Sequence, residues 1–257
     1  TFDDWLTAFS NSIRKRTANT KQGMFVGLSS GYDSGAITCE LEKQNVSFKT
    51  YSILNTENPK IMERRLKLVT NAEAFNLTTD EYNHWQKELD DNCENFIYGT
   101  GKKKYNIKED QASKGLAAIC HRANKEKRKI YFSGQGADEI ISDYGFGGIK
   151  KYKHSGFGGL FPQSLDGFFP WHSFYDGTQI QYLNKEEYVA GHFGIETRYP
   201  FLDNDLVQEF LWLSHTLKNS VYKSCLHEYL SANNFPFKPS EKKGFNVGQK
   251  KRKHKTL

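Results

Sequence analysis

Apolar positions in this chain switch between two spacings. Trp5, Leu6, Phe9 and Ile13 recur every three or four residues, which predicts a helix over residues 2–16. The next run, Met24-Phe25-Val26-Gly27-Leu28, is short and continuously apolar and predicts a buried strand. Ala36, Ile37 and Leu41 return to helical spacing, so a helix is expected over about 34–44. The alternation continues with a strand over 48–54, a turn over 55–59, a helix over 60–74, a short strand over 75–79 and a helix over 81–97. A helix over 111–124 keeps Ala112, Leu116, Ile119, Cys120 and Ala123 in register, and a strand over 129–133 follows. Strands alternating with helices predict an α/β fold, an open parallel sheet with helices on both faces.

The pattern changes after residue 145. Residues 145–180 are rich in Gly and aromatics, including Phe157, Phe161, Phe168, Phe169, Trp171, Phe174 and Tyr175. They read either as irregular, cleft-lining structure or as an aromatic satellite core. Asp203 is placed to cap an amphipathic helix carrying Leu206, Phe210, Leu213 and Leu217 on one face, so the C-terminal part is expected to be mostly helical.

Two expected strand ends carry the candidate chemistry. Each runs into a Ser/Gly turn followed by an Asp: Ser29-Ser30-Gly31-Tyr32-Asp33-Ser34 and Ser133-Gly134-Gln135-Gly136-Ala137-Asp138. A strand, a tight turn and a helix N-terminus aim backbone N–H groups at a phosphate. An Asp in such a turn offers a hard oxygen to Mg²⁺. If the two strands are neighbours, both turns face one crevice, and Asp33 and Asp138 share one metal.

Charge and cysteine usage narrow the partners. The net charge is +6 and falls to +1 once Lys250, Lys251, Arg252, Lys253 and Lys255 are set aside. A near-neutral body argues against a broad nucleic-acid surface, and residues 249–257 read as a solvated, disordered basic tail. No apolar run is long enough to span a membrane. Cys39, Cys93, Cys120 and Cys225 show no C-x-x-C spacing, so reduced, packed thiols and a cytoplasmic setting are expected. His121, His172 and His192 lie in no ligand spacing. The chain opens on Thr1 rather than Met, as expected of a processed or excised segment.

Four segments, in order, resemble one family. Leu28 to Ser34 resembles the pyrophosphatase-type loop (PP-loop) Ser-Gly-Gly-x-Asp-Ser, and Phe132 to Glu139 resembles Leu-Ser-Gly-Glu-Gly-Ala-Asp-Glu. Gly194 to Asp203 resembles Gly-x-Glu-x-Arg-x-Pro-Phe-Leu-Asp, and Lys242-Lys243-Gly244-Phe245 resembles a closing Lys-x-Gly-Phe. Together they resemble the synthetase domain of the asparagine synthetase family, a PP-loop, adenine nucleotide alpha hydrolase-like fold, over residues 1–248. The resemblance implies that a carboxylate attacks the α-phosphate of ATP, giving an acyl-adenylate and Mg²⁺-pyrophosphate, after which ammonia or an amine displaces AMP. It implies pyrophosphate binding by Ser29, Gly31 and Ser34, with Ser30 among the ATP-binding residues. Metal binding would fall to Asp33 and Asp138. Contacts to adenosine or the α-phosphate would come from Leu28, Ile53, Ser133 and Gly134. Lys242 would stabilise charge in both steps. Lys185 and Glu187 match positions on the substrate side, and Glu196 and Arg198 read as a structural ion pair.

Two departures stand out. Ser30 replaces the first Gly of the loop, and a Cβ there is expected to crowd the phosphates. Gln135 stands where asparagine synthetases carry Glu, at the position that handles the adenylate and the incoming amine; an amide cannot act there as a base. The substrate, a small-molecule or peptide carboxylate, therefore stays open, as does an intramolecular lactam-forming reaction. A PP-loop tRNA-modifying enzyme and a nucleotide-binding, non-catalytic homologue are the alternatives. The family's glutaminase domain, with its N-terminal Cys, has no counterpart ahead of Thr1, so nitrogen is expected from ammonia, an amine, or a separate glutaminase domain or subunit.

Overall fold

In the computed structural model, which describes residues 1–99 and 104–241, the alternating pattern becomes one five-stranded sheet. Its strands are β1 (Gly23–Gly27), β2 (Phe48–Ile53), β3 (Ala72–Phe75), β4 (Arg128–Phe132) and β5 (Glu196–Arg198). They lie in the order β3-β2-β1-β4-β5, and every pair is parallel. Two short antiparallel pairs, Ile97–Tyr98 with Tyr105–Asn106 and Gly145–Phe146 with Ile149–Lys150, lie outside it.

Among the described residues, ten α-helices accompany the sheet. They are α1 (Asp3–Thr17), α2 (Tyr32–Lys43), α3 (Pro59–Leu68), α4 (Thr79–Asn92), α5 (Gln111–Lys125), α6 (His172–Tyr175), α7 (Thr178–His192), α8 (Asn204–Trp212), α9 (His215–Lys218) and α10 (Ser224–Ala232). Alternate strand residues point to opposite faces. Met24, Val26, Ile130 and Phe132 therefore join α1, α2, α8 and α10 in one apolar core. Phe25, Tyr51, Ile53 and Tyr131 join α4, α5 and α7 in the other, with Phe25 stacked on Tyr131 at 5.1 Å between ring centres. The expected parallel sheet covered on both faces is thus observed.

Several boundaries differ from the pattern. The helix expected over 60–74 ends at Leu68, and the strand expected over 75–79 is Ala72–Phe75. Ala and Glu favour helix, but pairing with β2 places this segment as an edge strand, and tertiary context overrides propensity. The helix expected over 81–97 is Thr79–Asn92, started by a Thr78–Glu81 capping box. The single helix expected after Asp203 is two: α8 stops at Trp212, Leu213 is not helical, and the Ser214 hydroxyl caps α9 by accepting from Leu217 N at 3.3 Å. Helix α7 and strand β5 carry no clear periodic signal in the sequence. The aromatic run resolves mainly toward core: Phe157, Phe161, Phe168, Trp171 and Phe174 pack with Phe210. All four cysteines are free and buried.

Asp203 does cap α8, accepting from Asp205 N at 3.2 Å. It also clamps α1, with Lys15 at 3.1 Å and Arg16 at 2.8 Å. Burial alone would raise its pKa, but the hydrogen bonds from Arg16 and Lys15 outweigh burial and hold it below the usual value of 3.8. A depressed folded pKa means that this stability is present above about 3.8 and is lost as pH falls through the folded value. Asp203→Ala is expected to cost about 1–2 kcal/mol in urea unfolding at pH 7, and Asp203→Asn, which keeps the cap, less. Both variants should lose less stability than the parent between pH 5 and pH 3 (on the order of those values); an unchanged acid limb would refute the assignment.

Candidate active site

Strand β1 ends where the chain order reverses, with β2 on one side and β4 on the other. In open parallel sheets, ligands bind at the carboxyl ends of strands beside such a switch. Here a cavity of about 640 Å³ opens over the loops that follow β1 and β4.

The first loop is built by its own serines. The Ser29 and Ser34 hydroxyls lie 2.8 Å apart, Ser34 Oγ accepts from Ser29 N at 3.1 Å, and Ser29 Oγ accepts from Gly31 N at 3.1 Å. Behind the loop, Arg65 of α3 is buried and donates to three carbonyls: Ser29 O, Gly31 O at 2.8 Å and Pro236 O at 2.7 Å. Burial lowers its pKa to about 9, which leaves it charged at neutral pH. Ser30 turns away from the cavity; its N, at 2.7 Å, and its hydroxyl both donate to Glu57 Oε2. The expected crowding of the phosphates by its side chain therefore does not arise in this conformation, and Ser30 does not line the cavity.

The second loop closes on the first. A Cβ on Gly134 would come within 2.8 Å of Asp33 Cβ, so only Gly allows this approach. Gly136 adopts φ +97°, and its Cβ would meet Leu202 Cδ2 at 2.5 Å. The chain then enters a π-helical turn, Asp138–Ser142. Such turns often occur at functional sites. This turn buries Glu139, whose carboxylate accepts from Gln135 Nε2 at 2.8 Å, from Gly136 N at 3.2 Å and from the Tyr144 hydroxyl.

Asp33 and Asp138 converge on one cation. Lys223 Nζ lies 2.5 Å from Asp33 Oδ1 and 2.8 Å from Asp138 Oδ1, and the Lys223 side chain is 2% exposed. Burial disfavours the charged ammonium, yet the Asp138 and Asp33 carboxylates hold its pKa well above the usual lysine range. Lys223 sits in the left-handed region, φ 50° and ψ 54°, just before α10. A non-glycine residue held there is uncommon and strained. No group of three or more His, Cys, Asp or Glu converges among the described residues. Two carboxylates that already share one cation nevertheless suit Mg²⁺, which takes few protein ligands and completes its shell with phosphate and water.

The far wall of the cavity is aromatic and charged. Tyr144, Tyr152, His154 and Tyr182 line it, with Tyr144 and His154 ring centres 4.3 Å apart. Lys185 lies 3.4 Å from Asp110 and 4.5 Å from the Tyr182 ring centre. Glu186 accepts from the Ser133 hydroxyl at 2.5 Å.

A family model described as asparagine synthase matches residues 4–165, more than half of the chain and both strand-end loops. The chain belongs to the asparagine synthase family. Its segments at 194–203 and 242–245 lie beyond that match. No curated protein matches. Among solved structures, NAD⁺ synthetase from Burkholderia pseudomallei aligns at 9% identity with a TM-score of 0.35, covering 90% of this chain and 88% of that one.

Within this asparagine synthase-family chain, Ser29, Gly31, Asp33, Ser34, Ser133, Gly134, Gln135 and Asp138 all line one cavity. Leu28 and Ile53 do not; their side chains are 2% and 4% exposed in the two cores. Lys242 and the basic tail fall outside the described residues, although Glu241, immediately before Lys242, lines the cavity. Glu196 and Arg198 pair at 2.7 Å away from the cavity, and Glu187 accepts from the Tyr199 hydroxyl at 2.7 Å. His192 meets Glu88 at 3.0 Å, and His121 packs on Trp85. Sequence reasoning did not find Arg65, Lys223, Glu139 or Glu186. Only Glu139 had a signal, as the last residue of the second loop motif.

Proposed function

We propose that this chain is an ATP-dependent ligase that activates a carboxylate as its acyl-adenylate and joins it to ammonia or an amine, releasing AMP and pyrophosphate. The family is one of ATP-using, amide-forming PP-loop ligases. The observation that carries the reading is the convergence of Asp33 and Asp138 on one cation, at the floor of a cavity walled by both strand-end loops.

The Ser29 and Ser34 hydroxyls would turn to the polyphosphate from the bonds they make with each other and with Ser29 N and Gly31 N, and the α2 N-terminus adds its partial positive charge. Arg65 holds the loop carbonyls on the far side, so the donors point inward. Ser133 and Gly134 flank the α-phosphate, where charge develops during adenylation. Lys223 offsets part of that charge from below. Asp33 and Asp138 would hold Mg²⁺, which stabilises the departing pyrophosphate when bound. Lys242, next in the chain after a cavity residue, supplies a second ammonium.

Nitrogen reaches the site as free ammonia, as an amine, or from a separate glutaminase. Four free, buried thiols support a reducing compartment, and no helix among the described residues is long and apolar enough to cross a membrane. Exchange of labelled pyrophosphate into ATP is expected with at least one carboxylate from a panel of amino acids, N-substituted amino acids and short peptides. No exchange across the panel would overturn the ligase reading.

A further inference from the structure

We propose that Glu186 is the base that takes the proton from the attacking amine, a task Gln135 cannot perform. The inference rests on the ligase reading above and deepens its second step. Besides Asp33 and Asp138, which meet Lys223, the acidic or amide side chains that line the cavity on or against the second loop are Gln135, Glu139 and Glu186. The Gln135 amide has no basic site at neutral pH. The Glu139 carboxylate is spent on holding the loop, accepting from Gln135, Gly136 and Tyr144. Glu186 differs from both. One of its oxygens accepts from the Ser133 hydroxyl at 2.5 Å, and no second hydrogen bond to the carboxylate occurs among the described residues. Its partner Ser133 belongs to the loop that flanks the α-phosphate. The carboxylate therefore stands one hydrogen bond from the place where the acyl-adenylate forms.

The surroundings suit a base. Glu186 on α7 is within electrostatic reach of Tyr131 of β4, Cys120 of α5, Tyr199 and Glu139, with Lys185 and Glu187 as chain neighbours. Burial pushes its pKa up to about 7; Glu139 and Glu187 add to the rise, and the Ser133 hydrogen bond and Lys185 oppose it. A carboxylate poised near neutrality accepts protons far better than an ordinary one. Lys185 is held by Asp110 at 3.4 Å, which limits its pull on Glu186.

In the step itself, the amine lone pair forms the N–C bond to the acyl carbon. The C–O bond to the phosphate breaks, and its electron pair leaves with AMP. One N–H proton passes to the Glu186 carboxylate, which returns it to solvent before the next turnover.

The test uses the full chain, its Glu186→Gln variant, and whichever carboxylate supports pyrophosphate exchange in the parent. Ammonium chloride, methylamine and hydroxylamine are the nucleophile probes. Hydroxylamine is already largely unprotonated at neutral pH and needs little base assistance. The variant is expected to keep exchange within about threefold of the parent while amide formation with ammonium and methylamine falls about a hundredfold. Hydroxamate formation should survive. Per concentration of unprotonated nucleophile, the parent's amide-forming rate should rise with pH through about 7, and that of Glu186→Gln should not. Equal losses in exchange, amide and hydroxamate would assign Glu186 to positioning Ser133 and overturn the proposal. Unchanged amide formation would overturn it too, while leaving the ligase reading intact. Absence of exchange in the parent would remove the ligase reading and this inference together.

Discussion

Asp138→Asn is expected to abolish carboxylate-dependent pyrophosphate exchange, and Asp33→Asn to do the same, each by a factor on the order of a thousand or more. Both substitutions keep size and shape but remove the charge that would hold the metal. They also disturb the resting site. Lys223 is buried between the two carboxylates, so either variant leaves its ammonium with one charged partner instead of two. Removing one partner of a buried ion pair commonly costs about 3–5 kcal/mol. Here the second carboxylate remains, so the loss in stability should fall below that range. Thermal unfolding separates the two effects: a folded variant with no exchange supports the metal assignment, and normal exchange in both variants refutes it.

Arg65→Met is expected to lower stability by about 3–5 kcal/mol, because three carbonyls, two half-buried and one buried, lose their donor at once. Those carbonyls belong to Ser29, Gly31 and Pro236, so the loss falls on the phosphate loop rather than on a distant core. Met fills most of the volume, which keeps the cavity cost small and isolates the hydrogen bonds. Arg65→Lys keeps a charge but offers one point donor in place of a fork, so it should recover only part of the stability. A Cβ on Gly35 would lie 2.4 Å from Arg65 Nη2, which shows how closely α2 is cut to fit this side chain. Urea unfolding gives the stability change. Nucleotide binding measured on the folded fraction should weaken in parallel; full binding by Arg65→Met would refute a role for Arg65 in shaping the loop.

The local half of the site was legible in the sequence. Two apolar runs, each ending in Ser/Gly and Asp, announced two strand ends, and a parallel sheet made their meeting a reasonable expectation. What the spacing could not show was what fills the space between them. Lys223 comes from a segment after α9 with no strong period, and its position depends on a left-handed backbone that Lys rarely adopts. Arg65 looks like one more charge on a polar helix, because Arg64 beside it carries the same charge and only packing decides which is buried. Glu186 and Glu187 pose the same problem, since one helix step decides which faces the cavity. The fold errors have a similar cause. Ala72-Glu73-Ala74 reads as helix until β2 is there to pair with it, and Ser214 divides one apolar stripe between two helices. The worry raised by Ser30 disappears for a reason visible only in three dimensions: Glu57, from the loop after β2, draws its hydroxyl away.

Arg65 and Lys223 share a property that concerns how far along the chain the loop's supports lie. The loop at residues 29–34 precedes both partners in the chain: Arg65, which clamps its carbonyls, is itself anchored on Pro236, and the ammonium between Asp33 and Asp138 comes from residue 223. The local sequence around β1 and β2 thus carries the loop but not all of the parts that hold it in shape. Deleting residues 223–241 is therefore expected to loosen the loop at 29–34 even though β1, α2 and β2 stay in the chain.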